Sequence, residues 1–287
     1  TIMAHQIALV FLLIGCQATH SPVESPYPKY HRAFHEVEAM IASGDVAASL
    51  ELFEAAIQPL DYVPAYDYFT MSRAAASIFD CEWSATYFRK ALAQGLEYDK
   101  IRALKSRMGA ASYQERYGFE ACHRQLEEIA DLQHQIQKPY FDQAYKQAVE
   151  RLFQRDKAYR GTGEVQKLIE VDASNIATLL SLIEDKGFPH SQIVGHKTSQ
   201  NAYIILLHYD RDAGNQVLKP ILDQAYHDGY LGPKGIAWIV DRRRVGGPKK
   251  QAPYFYFLNK ERYKDLSLER KRAVGYRRDS IGLRPLE

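Results

Sequence analysis

The chain is predicted to be mainly α-helical, with a helical-repeat module followed by a second α-helical domain with little or no sheet. Three observations predict this. Apolar residues recur at three- and four-residue spacing along most of the chain, as on a helix with one buried face. Gly44, Pro59, Pro64 and Gly95 punctuate the first of these stretches where helices should stop and start. Finally, one pair of helices maps onto the next after a shift of 35 residues, with Asp45 on Asp80, Ser49 on Ser84, Phe53 on Phe88 and Ala56 on Ala91. With 287 residues, 46% hydrophobic and 25% charged, the chain can fill one large or two modest domains.

An apolar run, Ile7-Ala-Leu-Val-Phe-Leu-Leu-Ile14, ends in Leu13-Ile14-Gly15-Cys16. It is too short to span a bilayer, which takes about 20 residues, but it suits the apolar core of a secretory signal. The tetrapeptide resembles a bacterial lipobox, in which a small residue admits the signal peptidase and the cysteine thiol carries the lipid. The resemblance implies a signal peptide at 1–15, a lipid anchor on Cys16 and an extracytoplasmic location, in the periplasm or at the cell surface. Residues 17–30 hold three prolines and read as an extended tether.

Helices are predicted over Ala33–Ala42, Val46–Gln58, Pro64–Phe79 and Glu82–Gln94. Their repeated segment Phe-x-x-Ala-[Leu/Ile] and its period resemble a tetratricopeptide repeat. In that family a small Ala lets paired helices approach and an aromatic fills the groove between neighbours. The resemblance implies a protein or peptide partner for a module covering 31–137. An ordinary antiparallel helical bundle accounts for the same spacing. The helical pattern continues through Tyr98–Ala121, broken by Gly109 and Gly118, and then as one run over Ala121–Gln137. Of the remaining cysteines, Cys81 and Cys122 both sit in apolar helical contexts, where a buried free thiol is the expected state. An oxidising compartment would permit them to pair.

A second domain is predicted over 138–287. A helix starts at Pro139 and reaches about Tyr159, followed by Glu164–Lys186, Ser199–His208, Ala213–His227 and Pro233–Arg242. Tyr254 to Leu258 reads as a short strand or extended arm. From Lys234 onward 15 Lys and Arg face 6 Asp and Glu, so although the net charge is +2 the rest of the chain carries a deficit. Such a tail either attracts phosphate-bearing partners or folds back on the acidic N-terminal half. The second reading is preferred, and nucleic acid is not an expected partner.

Polar residues recur at the ends of these apolar helices. In order they form Asp156-x-x-x-Arg160, Asp172-x-x-Asn175, Gly187-Phe-Pro189, Val194-Gly195, Leu206-Leu-His208-Tyr-Asp210, Ala237-x-x-x-Asp241-Arg242, Gln251 and Arg278-x-x-x-Gly282-Leu283. Taken together they resemble a bacterial family known as domain of unknown function 6624, over roughly Val149 to Glu287. Where that family shows Gln-x-Tyr-Gly-Thr, this chain has Gln251-Ala-Pro-Tyr-Phe. The family implies a fold but no activity.

His208 is the leading candidate for chemistry, because it follows an apolar stretch and has Asp210 beside it. An imidazole so placed suits a general base, and equally a helix-terminal His that favours the dipole. Asp156 and Arg160 stand four apart and share a helical face. Asp241 and Arg242 are adjacent and point apart. Together with Asn175 and Gln251 these form the candidate pocket or catalytic set. Six of them, Asp156, Arg160, Asn175, His208, Asp241 and Arg242, are expected to gather in one polar cluster. No metal-ligand spacing is present. The Gly-Thr-Gly at 161–163 lacks the Lys-Ser or Lys-Thr of a phosphate loop, there is no Gly-x-Ser-x-Gly elbow, and no cofactor is expected. The leading functional expectation is a lipid-anchored binding protein, and the rival is a hydrolase using His208 with Asp156 or Asp241.

Overall fold

Pro26 and Pro28 open the first helix, where a missing amide hydrogen leaves no bond unmade. That helix, α1, spans Tyr27–Ser43 and ends at Gly44, whose φ of 90° is the left-handed geometry a glycine adopts without strain. The predicted tether to residue 30 is therefore shorter at its C-terminal end. Tyr27 and Tyr30 are buried, which extends the apolar face of α1 back beyond the predicted start at Ala33. The computed structural model describes residues 25–103, 122–160, 162–208, 214–245 and 263–286, with the backbone alone for 214–216 and 242–245. Cys16, Asp210 and Gln251, the side chain of Arg242 and the stretch 254–258 lie outside the described residues.

Three further helices follow, α2 (Val46–Ile57), α3 (Ala65–Ser77) and α4 (Cys81–Ala93), close to their predicted spans. α1 packs on α2 and α3 on α4. Phe53 and Phe88, the matched aromatics of the 35-residue shift, are both fully buried. Phe53 lies against Phe34, Tyr68 and Tyr87, with ring centroids 5.6 to 5.8 Å apart. Phe88 lies against Phe69 and Tyr98. The matched serines Ser49 and Ser84 are buried as well, and each hydroxyl donates to a backbone carbonyl, that of Val46 or Ser72.

After α5 (Tyr98–Arg102) the described chain resumes at residue 122. The predicted single run over Ala121–Gln137 is two helices, α6 (His123–Ala130) and α7 (Gln133–Gln137). The break turns two glutamines inward. Gln137 Nε2 donates to the carbonyls of Leu92 and Leu96 at 3.1 and 2.7 Å, and Gln133 Oε1 accepts from the Asp99 amide. These bonds satisfy backbone groups at the end of α4 and the start of α5 that a straight helix would leave unmet.

Cys81 and Cys122 are bonded to each other, with Cα atoms 5.3 Å apart. This corrects the expectation of free thiols. Both do occupy helix ends in apolar surroundings, but packing α4 against α6 brings them face to face, a relation that local sequence does not carry. For a sequence separation of 41 residues, loop-closure entropy alone gives about 4 kcal/mol of stabilisation.

The second half contains α8 (Gln143–Tyr159), α9 (Val165–Lys186), α10 (Ser191–Val194), α11 (His196–Leu207), α12 (Gly214–His227), α13 (Pro233–Val245) and α14 (Leu268–Ser280). α8 begins at Gln143 rather than near Pro139, because the Asp142 carboxylate accepts from the Tyr145 amide at 2.8 Å and so caps the helix there. α8 packs against α9 and α11, and α11 against α13. All secondary structure among the described residues is helical, as the sequence predicts, and no helix among them is long and apolar enough to cross a membrane.

One continuous apolar core runs from Tyr27 to Leu283, across the boundary predicted at 137/138. Gly95 shows how closely the two halves approach. Its φ is +91°, and a Cβ there would fall 1.9 Å from the Ser191 carbonyl oxygen. The basic C-terminus returns to α1, where Arg284 pairs with Glu38 at 2.6 Å and Arg32 donates to the Asp279 carbonyl at 2.9 Å. The Arg284 pair has the sense expected of a basic tail folded back on an acidic half.

Candidate functional site

Three helices deliver four ionisable side chains to one place. α8 carries Asp156 in its last full turn, and Arg160 follows one turn later at its C-cap, so the two share a face. α9 runs alongside α8 and contributes Asp172. α11 ends at Leu207, which leaves His208 at its C-cap.

The bonds among them form one network. Arg160 Nη2 donates to Asp156 Oδ1 at 2.8 Å and to Asp172 Oδ1 at 2.6 Å, and Arg160 Nε adds a further bond to Asp156. His208 Nδ1 lies 3.0 Å from Asp156 Oδ1. Burial pushes the Asp156 carboxyl up, but the bonds from His208 and Arg160 outweigh it and hold the group down at about 2. An ionised carboxylate can only accept, so Nδ1 carries the proton of the imidazole. The Nε2 atom is then the acceptor in the neutral ring. That is the orientation in which a carboxylate holds a general-base histidine. Burial raises Asp172, against the pull of Arg160.

Asn175 is buried beside the network without joining it. Its Nδ2 donates to the Leu152 carbonyl at 3.1 Å and its Oδ1 accepts from Arg155 Nε at 2.7 Å, so it ties α9 to α8. Asp241 is fully buried on α13, the helix packed on α11. Three of the six, Asp156, Arg160 and His208, are bonded to one another among the described residues and are joined by Asp172. Asn175 stays outside their network for a geometric reason: it meets Arg155, one position before Asp156, and its amide is used up on α8. Two contributors, Asp172 and Arg155, were not singled out as site residues. Asp172 had a signal, since it precedes Asn175 by three positions and so shares its helical face.

Asp156, Asp172 and His208 offer metal-ligand atoms that lie within 4.8 Å of one another. The Arg160 guanidinium already donates to both carboxylates, so a cation would have to displace a group that never loses its charge. The arrangement favours hydrogen-bond recognition over coordination.

Comparison with known proteins finds no family model, curated protein or solved structure that matches this chain.

Proposed function

We propose that the protein is an extracytoplasmic bacterial lipoprotein, anchored through Cys16, that binds a polar ligand at the Asp156–Arg160–Asp172–His208 cluster. The carrying observation is a gradient of exposure. The Asp156 side chain is 5% exposed, His208 15%, Asp172 20% and Arg160 33%, so the network has a buried floor and an accessible rim. The rim leaves the network within reach of a ligand's polar groups. The lipobox at Leu13–Cys16 supports the location, and so does the Cys81–Cys122 bond, which persists in an oxidising compartment. The repeated hairpins support a protein or peptide partner for the first half. The ordered motifs of the second half support kinship with the family of unknown function that they resemble.

The test is a thermal-shift screen of small polar compounds against the wild type and against Asp172→Asn and His208→Gln. A compound at a hundredfold excess over its Kd should stabilise the wild type by about 2.7 kcal/mol and lose that effect in both variants. If every stabilising compound acts equally on the variants, the cluster is not the binding site.

A hydrolase is the second reading, favoured by the 3.0 Å bond that orients His208. It predicts turnover of a chromogenic ester or phosphoester that falls about 100- to 10,000-fold in His208→Ala. Turnover that survives this substitution excludes it.

A further inference from the structure

A cavity lined by none of the cluster residues differs from the cluster in character. It has a volume of about 210 Å3 and is lined by Tyr27, Tyr62 and Tyr230, with Asp61, Asp228 and His227 among its other walls. It sits at the seam between the N-terminal helices and the end of α12. No Lys or Arg among the described residues lines it. Asp228 accepts only from the Gln224 amide at 2.8 Å, and neither it nor Asp61 has a cationic partner among the described residues.

The aromatic walls are held rigidly. Tyr27 Oη donates to the Tyr62 carbonyl at 2.9 Å and accepts from the Tyr62 amide at 3.2 Å. Gly229 has a φ of +77°, and a Cβ there would fall 2.2 Å from the Tyr27 ring, so only glycine lets that ring lie against the turn. His190 stacks on one face of Tyr230, with centroids 4.0 Å apart and planes 7° from parallel. Tyr62 stands beside this stack, nearly perpendicular to both rings, at 5.5 Å from His190 and 5.2 Å from Tyr230. The second face of Tyr230 is covered by neither. Burial pushes the Tyr27 phenol up to about 12, and the charges of Asp61, Tyr230 and Asp228 act in the same direction. The same two carboxylates act on Tyr230. Both acids therefore project their field onto the same aromatic walls.

Unneutralised carboxylates beside electron-rich ring faces attract a cation that is itself partly apolar. A hydrated metal ion would gain little from tyrosine rings, and an anion would be repelled. The volume is below the roughly 300 to 1,000 Å3 of pockets for drug-sized ligands and suits a compact head group. We propose that this cavity binds the ammonium head of a small organic cation, paired with Asp61 and Asp228 and packed against Tyr230 where it lines the cavity. The head could belong to a free amine or to a choline-type lipid, which share this chemistry.

Calorimetry on the full chain tests the proposal, with choline, its uncharged isostere in which carbon replaces nitrogen, and phosphatidylcholine vesicles in a parallel sedimentation assay. Choline should bind saturably at one site, with the isostere at least about tenfold weaker. Asp61→Asn combined with Asp228→Asn should weaken choline about tenfold or more, and Tyr230→Leu should weaken it severalfold, with unchanged circular dichroism. Vesicle binding lost in the double Asn variant, without binding of free choline, assigns the head group to a lipid. Absence of binding in both assays, equal affinity for the isostere, or full affinity in the double variant overturns the proposal.

Discussion

Asp67 on α3 and Asp156 on α8 are both aspartates withdrawn from water by packed helices, and they reach opposite states. Burial raises both. Asp67 accepts one hydrogen bond, from the Tyr30 hydroxyl at 2.6 Å, and its carboxyl nevertheless rises to about 7. Asp156 accepts from Arg160 and His208 and falls to about 2. A neutral donor replaces part of the lost hydration of a carboxylate, whereas a guanidinium also supplies the opposite charge. The difference matches how the two regions are built. α1 to α4 are held by ring contacts with few ions in reach, while α8, α9 and α11 concentrate charges that satisfy one another.

Deleting Asp156 should have the largest effect. Asp156→Ala strands the Arg160 and His208 donors and should cost about 3 kcal/mol in urea unfolding; a loss near zero would mean that Asp172 alone suffices to hold Arg160. Acid gives the next largest effect. The folded pKa of Asp156 lies below its unfolded value, so the unfolded state binds more protons between about pH 4 and pH 2, and stability falls as pH drops through that window. The amount is about 2 kcal/mol, and Asp156→Asn should remove this component of the acid transition.

Asp67 should show the opposite sign. Its folded pKa lies above its unfolded value, so the folded state holds the extra proton, and stability declines as pH rises from about 4 to 7. Asp67→Asn keeps an acceptor for Tyr30 and cannot ionise. It should flatten that decline and raise stability at about pH 8 by 1 to 2 kcal/mol. A variant with the slope of the wild type would show that Asp67 stays hydrated.

Much of the architecture was legible because helix formation is written in short-range spacing. Phe53 and Phe88, matched by the 35-residue shift, are both buried, since the pattern that predicts a helix also predicts its inward face. Boundaries moved where side chains made specific caps. Asp142 set the start of α8, and Gln133 and Gln137 required the break between α6 and α7. The candidate site was legible in part. Asp156 and Arg160 share a helical face by spacing alone, but their meeting with His208, 52 positions after Asp156, depends on how α8 and α11 cross.

Spacing along the sequence was enough to tell that the chain is helical and that Asp156, Arg160 and His208 sit at helix ends where they need partners. Those are consequences of periodicity and of the four-residue geometry of one helix. It took the packing of distant helices to settle that Cys81 bonds to Cys122, that Asp172 completes the network, and that Asp67 and Asp156 titrate in opposite directions. The physical reason is the range of the forces involved. A disulfide, an ion pair and a desolvation each act over a few ångströms through space, and which groups come within that distance is set by the packing of helices far apart in the chain.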